Sequence, residues 1–237
     1  MGEQVMHGSR NRGCGRLLPV ALILSTLALL AGCGVRTAGA GTAAPAGRVL
    51  LEEDFSEASL WPAATDDNDS VRLEHEALLV DTGPDEVEVP LLLAKIPGAN
   101  VTRLDHLSIE ASVEQVRGSE GGFAVVCHTS PTHRYELSVD ASGLYLVVEV
   151  GPGKAKARDF AHGFTDKLER GPNRIRGECY RDVGRGRSSF ALYLNEAKLV
   201  EVDHQLDQSS FFAIGLYAYS KEPSSFRFDD VVVRALG

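Results

Sequence analysis

Leu107-Ser108-Ile109-Glu110-Ala111-Ser112-Val113-Glu114 sets an apolar side chain at every odd position and a polar one at every even position. Successive side chains of an extended chain point to opposite faces, so this period of two describes a strand with one face in a core and one in water. The same alternation recurs on both sides of it. Tyr135, Leu137 and Val139 alternate with Arg134, Glu136 and Ser138, and Phe226 and Phe228 alternate with Arg227 and Asp229. Further strands are expected at 49–55, 71–73, 77–81, 87–93, 121–128, 143–150, 154–160, 173–180, 188–194, 197–203, 211–219 and 231–235. Turn chemistry separates them: Asp140-Ala141-Ser142-Gly143, Gly151-Pro152-Gly153, Asp182 to Gly186, and Asn195-Glu196. No stretch sustains a helical period, and Asp166 to Arg170 is the one place where a helical turn is expected. Many short strands with tight turns and no helices define an all-β sandwich or barrel.

The N-terminal end follows a different rule. Arg10, Arg12 and Arg16 precede an apolar run from Leu17 to Ala31, a layout of an export signal rather than of a fold. The run is shorter than the roughly 20 residues of a membrane span and contains Pro19. It closes on Leu30-Ala31-Gly32-Cys33, which resembles a bacterial lipoprotein cleavage box. That resemblance implies that Cys33 carries a diacylglyceryl group, becomes the first residue of the mature chain, and holds the protein on the outer side of the cell membrane. A plain secretory signal and a retained anchor helix are the alternatives. Residues 33–47 are mostly small and cannot bury a core, so they read as a flexible tether. Residues 48–237 are enough for one β-sandwich domain.

Charge narrows the partners. The chain has a net charge of −9, and without the three arginines and one glutamate of residues 1–32 it falls to about −11. This argues against nucleic acid as a partner, which needs a basic face to displace counterions. It argues equally against docking on anionic head groups, which leaves membrane attachment to the lipid.

Cys127 and Cys179 are the cysteines left once Cys14 and Cys33 are set aside, and in an exported domain they are expected to pair. Two free buried thiols are the alternative. If they pair, the side carrying Phe123, Val125 and Cys127 and the side carrying Asn173, Ile175, Gly177 and Cys179 both face the core. Ala124, Val126 and His128 then face outward on one strand, and Arg174, Arg176, Glu178 and Tyr180 on the other.

The order of landmarks resembles the concanavalin A-like lectin and glucanase jelly rolls of exported bacterial, and especially actinobacterial, proteins. The landmarks are Glu53-Asp54-Phe55, Trp61, Gly122 to Cys127, Arg134 to Val139, Gly143-Leu144-Tyr145, Asn173 to Cys179, Leu192 to Asn195, Ile214 to Ala218 and Phe228-Asp229-Asp230-Val231. The resemblance spans roughly residues 50–236. It implies a two-sheet antiparallel jelly-roll sandwich, one sheet convex and one concave, with ligands across the concave sheet or at its rim. Fold alone does not assign function, because lectins, glycosidases and interaction modules share it.

Glycoside hydrolysis needs two carboxylates across the scissile bond. The glucanases of this fold carry them as Glu-x-Asp-x-x-Glu on one strand, and that spacing is absent here. Glu110 and Glu114 share a strand face, but they read as an ordinary solvated face. His128, Arg134, Glu136, Tyr145, Arg176, Glu178 and Tyr180 are expected on outward strand faces that the fold brings together. Aromatic rings and planar, bidentate hydrogen-bonding groups are what a sugar platform requires; a solvated sheet face laced with ion pairs is the alternative. The remaining histidines, His75, His106, His133, His162 and His204, show no metal-ligand spacing. No cofactor is expected. Calcium is the one ion the residues suggest, at Asp66-Asp67-Asn68-Asp69 or Asp229-Asp230, although the first lacks the Asp-x-Asp-x-Asp-Gly order of a helix-loop-helix site and reads equally as a solvated loop. The reading is therefore a lipid-anchored, non-catalytic module that binds a glycan or an envelope component. The alternatives are a glycoside hydrolase-like enzyme with carboxylates on the concave sheet and a protein-interaction domain.

Overall fold

The alternating stretch becomes β6 (His106–Arg117), and its odd residues Leu107, Ile109, Ala111 and Val113 are fully buried. In this computed structural model the described residues are 47–236, apart from 57–59, 66–68, 85, 98, 100–103, 152–156 and 206–210. The expected export signal (1–32), Cys33, nearly all of the tether, Asp66 to Asn68 and Pro152-Gly153 lie outside them.

Before β6 come β1 (Gly47–Glu53), β2 (Ala64–Thr65), β3 (Ser70–Leu73), β4 (Leu78–Thr82) and β5 (Glu86–Leu92). After it come β7 (Gly122–Ser130), β8 (His133–Asp140), β9 (Leu144–Val150), β10 (Arg158–Phe164) and β11 (Asn173–Asp182). The chain closes with β12 (Arg187–Leu194), β13 (Ala197–Gln205), β14 (Ala213–Tyr219) and β15 (Ser224–Leu236). A nine-stranded sheet has the order β13-β12-β11-β6-β15-β4-β3-β2, with β1 also paired to β15. A six-stranded sheet has the order β10-β9-β8-β7-β14-β5. Every pairing is antiparallel. This is the expected all-β, two-sheet jelly-roll sandwich.

Three local expectations change. Asp166 to Arg170 forms no helical turn; among the described residues the helical element is the 3-10 turn Leu93–Lys95, placed where the strand 87–93 was expected to end. Leu93 is fully buried there, so its apolar character served a turn over the core rather than a strand. Of the strand expected at 154–160, residues 154–156 lie outside the described residues, and β10 extends it to Phe164. The two segments 226–229 and 231–235 form one strand, β15, which continues through a bulge between Asp229 and Val232 with Asp230 at a φ of 47°. The bulge restores the inward direction of Val231 and Val233 after Phe226 and Phe228.

The hairpins follow their turn chemistry. Gly143 N–H bonds to the Asp140 carbonyl at 2.9 Å with a φ of 81°, and Asn195 and Glu196 both adopt positive φ between β12 and β13. Between the sheets, Tyr135 of β8 stacks on Phe190 of β12 with ring centroids 4.2 Å apart. Cys127 of β7 and Cys179 of β11 form the expected disulfide, so the bond joins one sheet to the other. Their Cα atoms are 6.7 Å apart, whereas facing sheets usually lie about 10 Å apart. Gly177, two residues from Cys179, fits this pinch: a Cβ there would stand 2.4 Å from Val125 Cγ2.

Candidate functional site

The inter-sheet disulfide decides where the outward-facing residues go. Both cysteines point inward from opposite layers, so the outward faces of β7 and β11 look away from each other. His128, Arg134 and Glu136 stand on the outer face of the six-stranded sheet, while Arg176, Glu178 and Tyr180 stand on the outer face of the nine-stranded sheet. The seven-residue platform expected from the sequence is therefore two separate groups. Tyr145 belongs to neither. It pairs with Val139, on the inward side of β9, and packs against the core.

On the six-stranded sheet, register assembles the site from four strands. His128, Val126 and Ala124 of β7 lie opposite Arg134, Glu136 and Ser138 of β8 on one side, and opposite Ala213, Gly215 and Tyr217 of β14 on the other. Beyond β14, Glu88 and Glu86 of β5 lie opposite Tyr217 and Tyr219. The polar groups form a chain. His128 Nε2 bonds Glu88, Arg134 Nε donates to Glu136 Oε1 at 2.7 Å, and the same Nε stands 3.4 Å from Glu88 Oε2. Arg134 lies over the Tyr217 ring at 6.0 Å, and the Tyr217 and Tyr219 rings are 5.8 Å apart. Tyr217 packs on Ala124 and Val126, a small apolar cluster separate from the main core.

Burial sets the protonation of this group. It pushes the Glu136 carboxyl above its ordinary value, against the pull of Arg134. It also raises the Tyr217 hydroxyl strongly, helped by the neighbouring Glu136 and Glu86 carboxylates, and takes Tyr219 up to about 12. Both tyrosines are therefore neutral donors at physiological pH. For Arg134 burial acts downward, but Glu136 and Glu88 outweigh it and hold the guanidinium firmly protonated. Next to Tyr219 opens a cavity of about 400 Å³, lined also by Ser119, Glu120, Gly121, Asp140, Ala141, Ser142 and Lys221.

The second group is organised as ion pairs. Arg176 stacks on the Tyr193 ring at 3.9 Å and stands 3.4 Å from Glu178 Oε1, while Tyr193 donates to Glu178 Oε2 at 3.3 Å. Burial raises the Glu178 carboxyl against the pull of Arg176. Tyr180 meets His106 edge-on at 5.0 Å. Glu110, expected on a solvated face, is 5% exposed and accepts from Arg174 and Arg234. Its burial reflects its place on a central strand, flanked by β11 and β15.

The sequence reading missed Glu86, Glu88, Tyr217 and Tyr219. Their parity was legible, since Glu86 and Glu88 alternate with Val87 and Val89, and Tyr217 and Tyr219 with Leu216 and Ala218. The adjacency of β5 and β14 was not. For metals, among the described residues no group of three His, Cys, Asp or Glu side chains is placed to hold an ion. His133 Nε2 bonds Glu149 at 2.8 Å, Asp229 pairs with Arg227, and Asp69 accepts from Gly83 N–H at 2.7 Å.

The architecture is similar to that of several solved structures. Carbohydrate-binding module CBM66 from Bacillus subtilis superposes with a TM-score of 0.52 at 14% identity, over 73% of this chain and 94% of that one. The CBM2 module of the evolved Dit of Lactobacillus casei BL23 phage J-1 gives 0.52 at 9% identity, over 80% and 96%. An endo-1,3-beta-glucanase from Streptomyces sioyaensis gives 0.50 at 14% identity, over 84% and 100%. At these identities the likeness concerns the fold. No family model matches the chain, and no curated protein matches it in sequence.

Proposed function

We propose that this protein is a lipid-anchored, non-catalytic module that binds a glycan of the cell envelope on the outer face of its six-stranded sheet. The observation that carries the reading is the interlocked group His128–Glu88–Arg134–Glu136 beside Tyr217 and Tyr219. These side chains are held by one another on a sheet face that the second sheet does not cover. Fixed polar groups suit sugar hydroxyls, and the part-exposed Tyr219 ring suits the apolar face of a pyranose, at little cost in side-chain ordering; Tyr217, 4% exposed, supports the group from beneath. Solved modules of similar fold whose names state carbohydrate binding support it, and Leu30-Ala31-Gly32-Cys33 supports attachment outside the membrane.

A glycan array probed with residues 48–237 tests it. Saturable binding to one glycan class, lost in Arg134→Ala and retained in Arg176→Ala, is the expected result, because the two arginines lie on opposite faces. Binding lost in Arg176→Ala alone would move the site to the nine-stranded sheet, and silence across the array would favour a protein partner.

An enzymatic reading has one specific observation: Glu88 and Glu136 both reach the same Arg134 Nε, so two carboxylates lie close together. Both are engaged by that guanidinium, however, and the Glu-x-Asp-x-x-Glu spacing of the glucanases is absent, which favours the binding reading. Release of reducing sugar that Glu136→Gln abolishes would reverse this preference.

A further inference from the structure

The charges of the two outer faces differ in a way that bears on the ligand. At the centre of the nine-stranded sheet, Arg174, Arg176, Arg234 and Lys198 face Glu110, Glu178 and Glu201 in direct pairs. At the centre of the six-stranded sheet three carboxylates, Glu86, Glu88 and Glu136, face one guanidinium, Arg134, and at the cavity beside Tyr219 two more, Glu120 and Asp140, accompany one ammonium, Lys221. With Glu136 ionised beside Arg134, the excess of negative charge persists whichever form His128 takes. It also lies where a ligand has access: Glu86 is exposed, stands directly opposite Tyr219, and Tyr219 lines the cavity of about 400 Å³.

Resting on the glycan-binding reading above, we infer that the site selects glycans bearing free amino groups over their N-acetylated or acidic counterparts. A neutral sugar laid on this face would return hydrogen bonds from its hydroxyls for the water it strips from the carboxylates, but no compensating charge. An acidic sugar would add repulsion. A protonated amine does the opposite, supplying the missing cation between Glu86 and Glu88. The part-exposed Tyr219 ring, which lines the cavity, also attracts a cation through its face. Arg134 remains with Glu136, so the pairing already present is not broken to admit the ligand. N-acetylation of the sugar removes the charge and leaves the carboxylates uncompensated.

The test is calorimetric titration of the full chain in detergent with a chitosan oligosaccharide and with its fully N-acetylated counterpart, at mildly acid pH where the sugar amine is protonated. The unacetylated oligomer is expected to bind at least about tenfold more tightly, with the preference shrinking as salt is added. Glu86→Gln, an exposed substitution whose fold is checked by circular dichroism, should reduce that preference several-fold, chiefly by weakening binding of the unacetylated oligomer. Equal affinities, or tighter binding of the acetylated form, would overturn the inference while leaving glycan binding intact. Failure to bind any glycan in the array would overturn the underlying reading as well. Capture of a lysine-rich peptide, with neither oligosaccharide bound, would overturn it in favour of a protein partner.

Discussion

Gly177→Ala tests the central mechanical claim, that the disulfide pinches two sheets so closely that one position tolerates no side chain. The added methyl would meet Val125 Cγ2 at 2.4 Å, and Val125 is fully buried with a β-branched side chain that has little freedom at χ1. Overpacking of this kind costs about 1–3 kcal/mol. Against it stands a gain of about 0.4–1 kcal/mol, because alanine has less freedom than glycine in the unfolded chain. The net expectation is a loss of about 1–2 kcal/mol. For a domain of this size each kcal/mol moves the midpoint of thermal unfolding by about 2–4 °C, so Gly177→Ala should unfold several degrees lower. Val125→Ala alone should cost about 2 kcal/mol in lost burial and cavity formation. The double variant supplies space for the new methyl and should be more stable than the sum of the two losses by at least about 1 kcal/mol. Thermal unfolding followed by circular dichroism on all four proteins gives the coupling. Additivity within about 0.5 kcal/mol would refute the close approach of β11 and β7 at this point.

Other consequences are separately measurable. Replacing both Cys127 and Cys179 by alanine should destabilise the domain by about 4 kcal/mol from the entropy of a 52-residue loop alone; an unchanged unfolding midpoint in the variant would contradict the inter-sheet bond. Burial acts to raise the Asp81 carboxyl, but hydrogen bonds from Ser225, Arg72 and Ser70 prevail and hold it below its ordinary value. A depressed carboxyl contributes stability above its unfolded value that is lost as pH falls through the folded one. Asp81→Asn should therefore destabilise by about 1.5–3 kcal/mol at neutral pH, with the deficit closing in acid; a pH-independent deficit in denaturant titrations would count against the ionised network. On the proposed lipid anchor, Cys33→Ser should leave the protein in the soluble exported fraction, and partition into the membrane fraction by both forms would point to a retained helix in place of a lipid.

How much was legible in advance differs between residues for reasons that can be named. β6 was readable because its alternation is strict, and the same holds for β8. β9 was not: Leu144-Tyr145-Leu146-Val147-Val148 is apolar throughout, so nothing in it marks which face is inward, and Tyr145 was assigned outward. The register with Val139 of β8 assigns it inward. The disulfide contained a clue that the sequence reading left unused. Two inward-pointing cysteines on facing sheets require their strands' outer faces to be opposed, which separates Arg176 and Glu178 from His128 and Glu136.

The sequence by itself determined most of the strands and their turns and which side of each alternating strand is apolar, because these depend on neighbours within a few residues. The pairing of Cys127 with Cys179 was an expectation with free thiols as its alternative, and the structure decided it. Tertiary structure alone decided which strands lie side by side. Glu86 and Glu88 are about 130 residues from Tyr217 and Tyr219 in the chain, and they meet only because β5 pairs with β14. A period of two records the two faces of a strand. It carries no record of the neighbouring strand, because backbone hydrogen bonding across a sheet is nearly indifferent to side-chain identity, and the candidate site is made of those cross-strand neighbours.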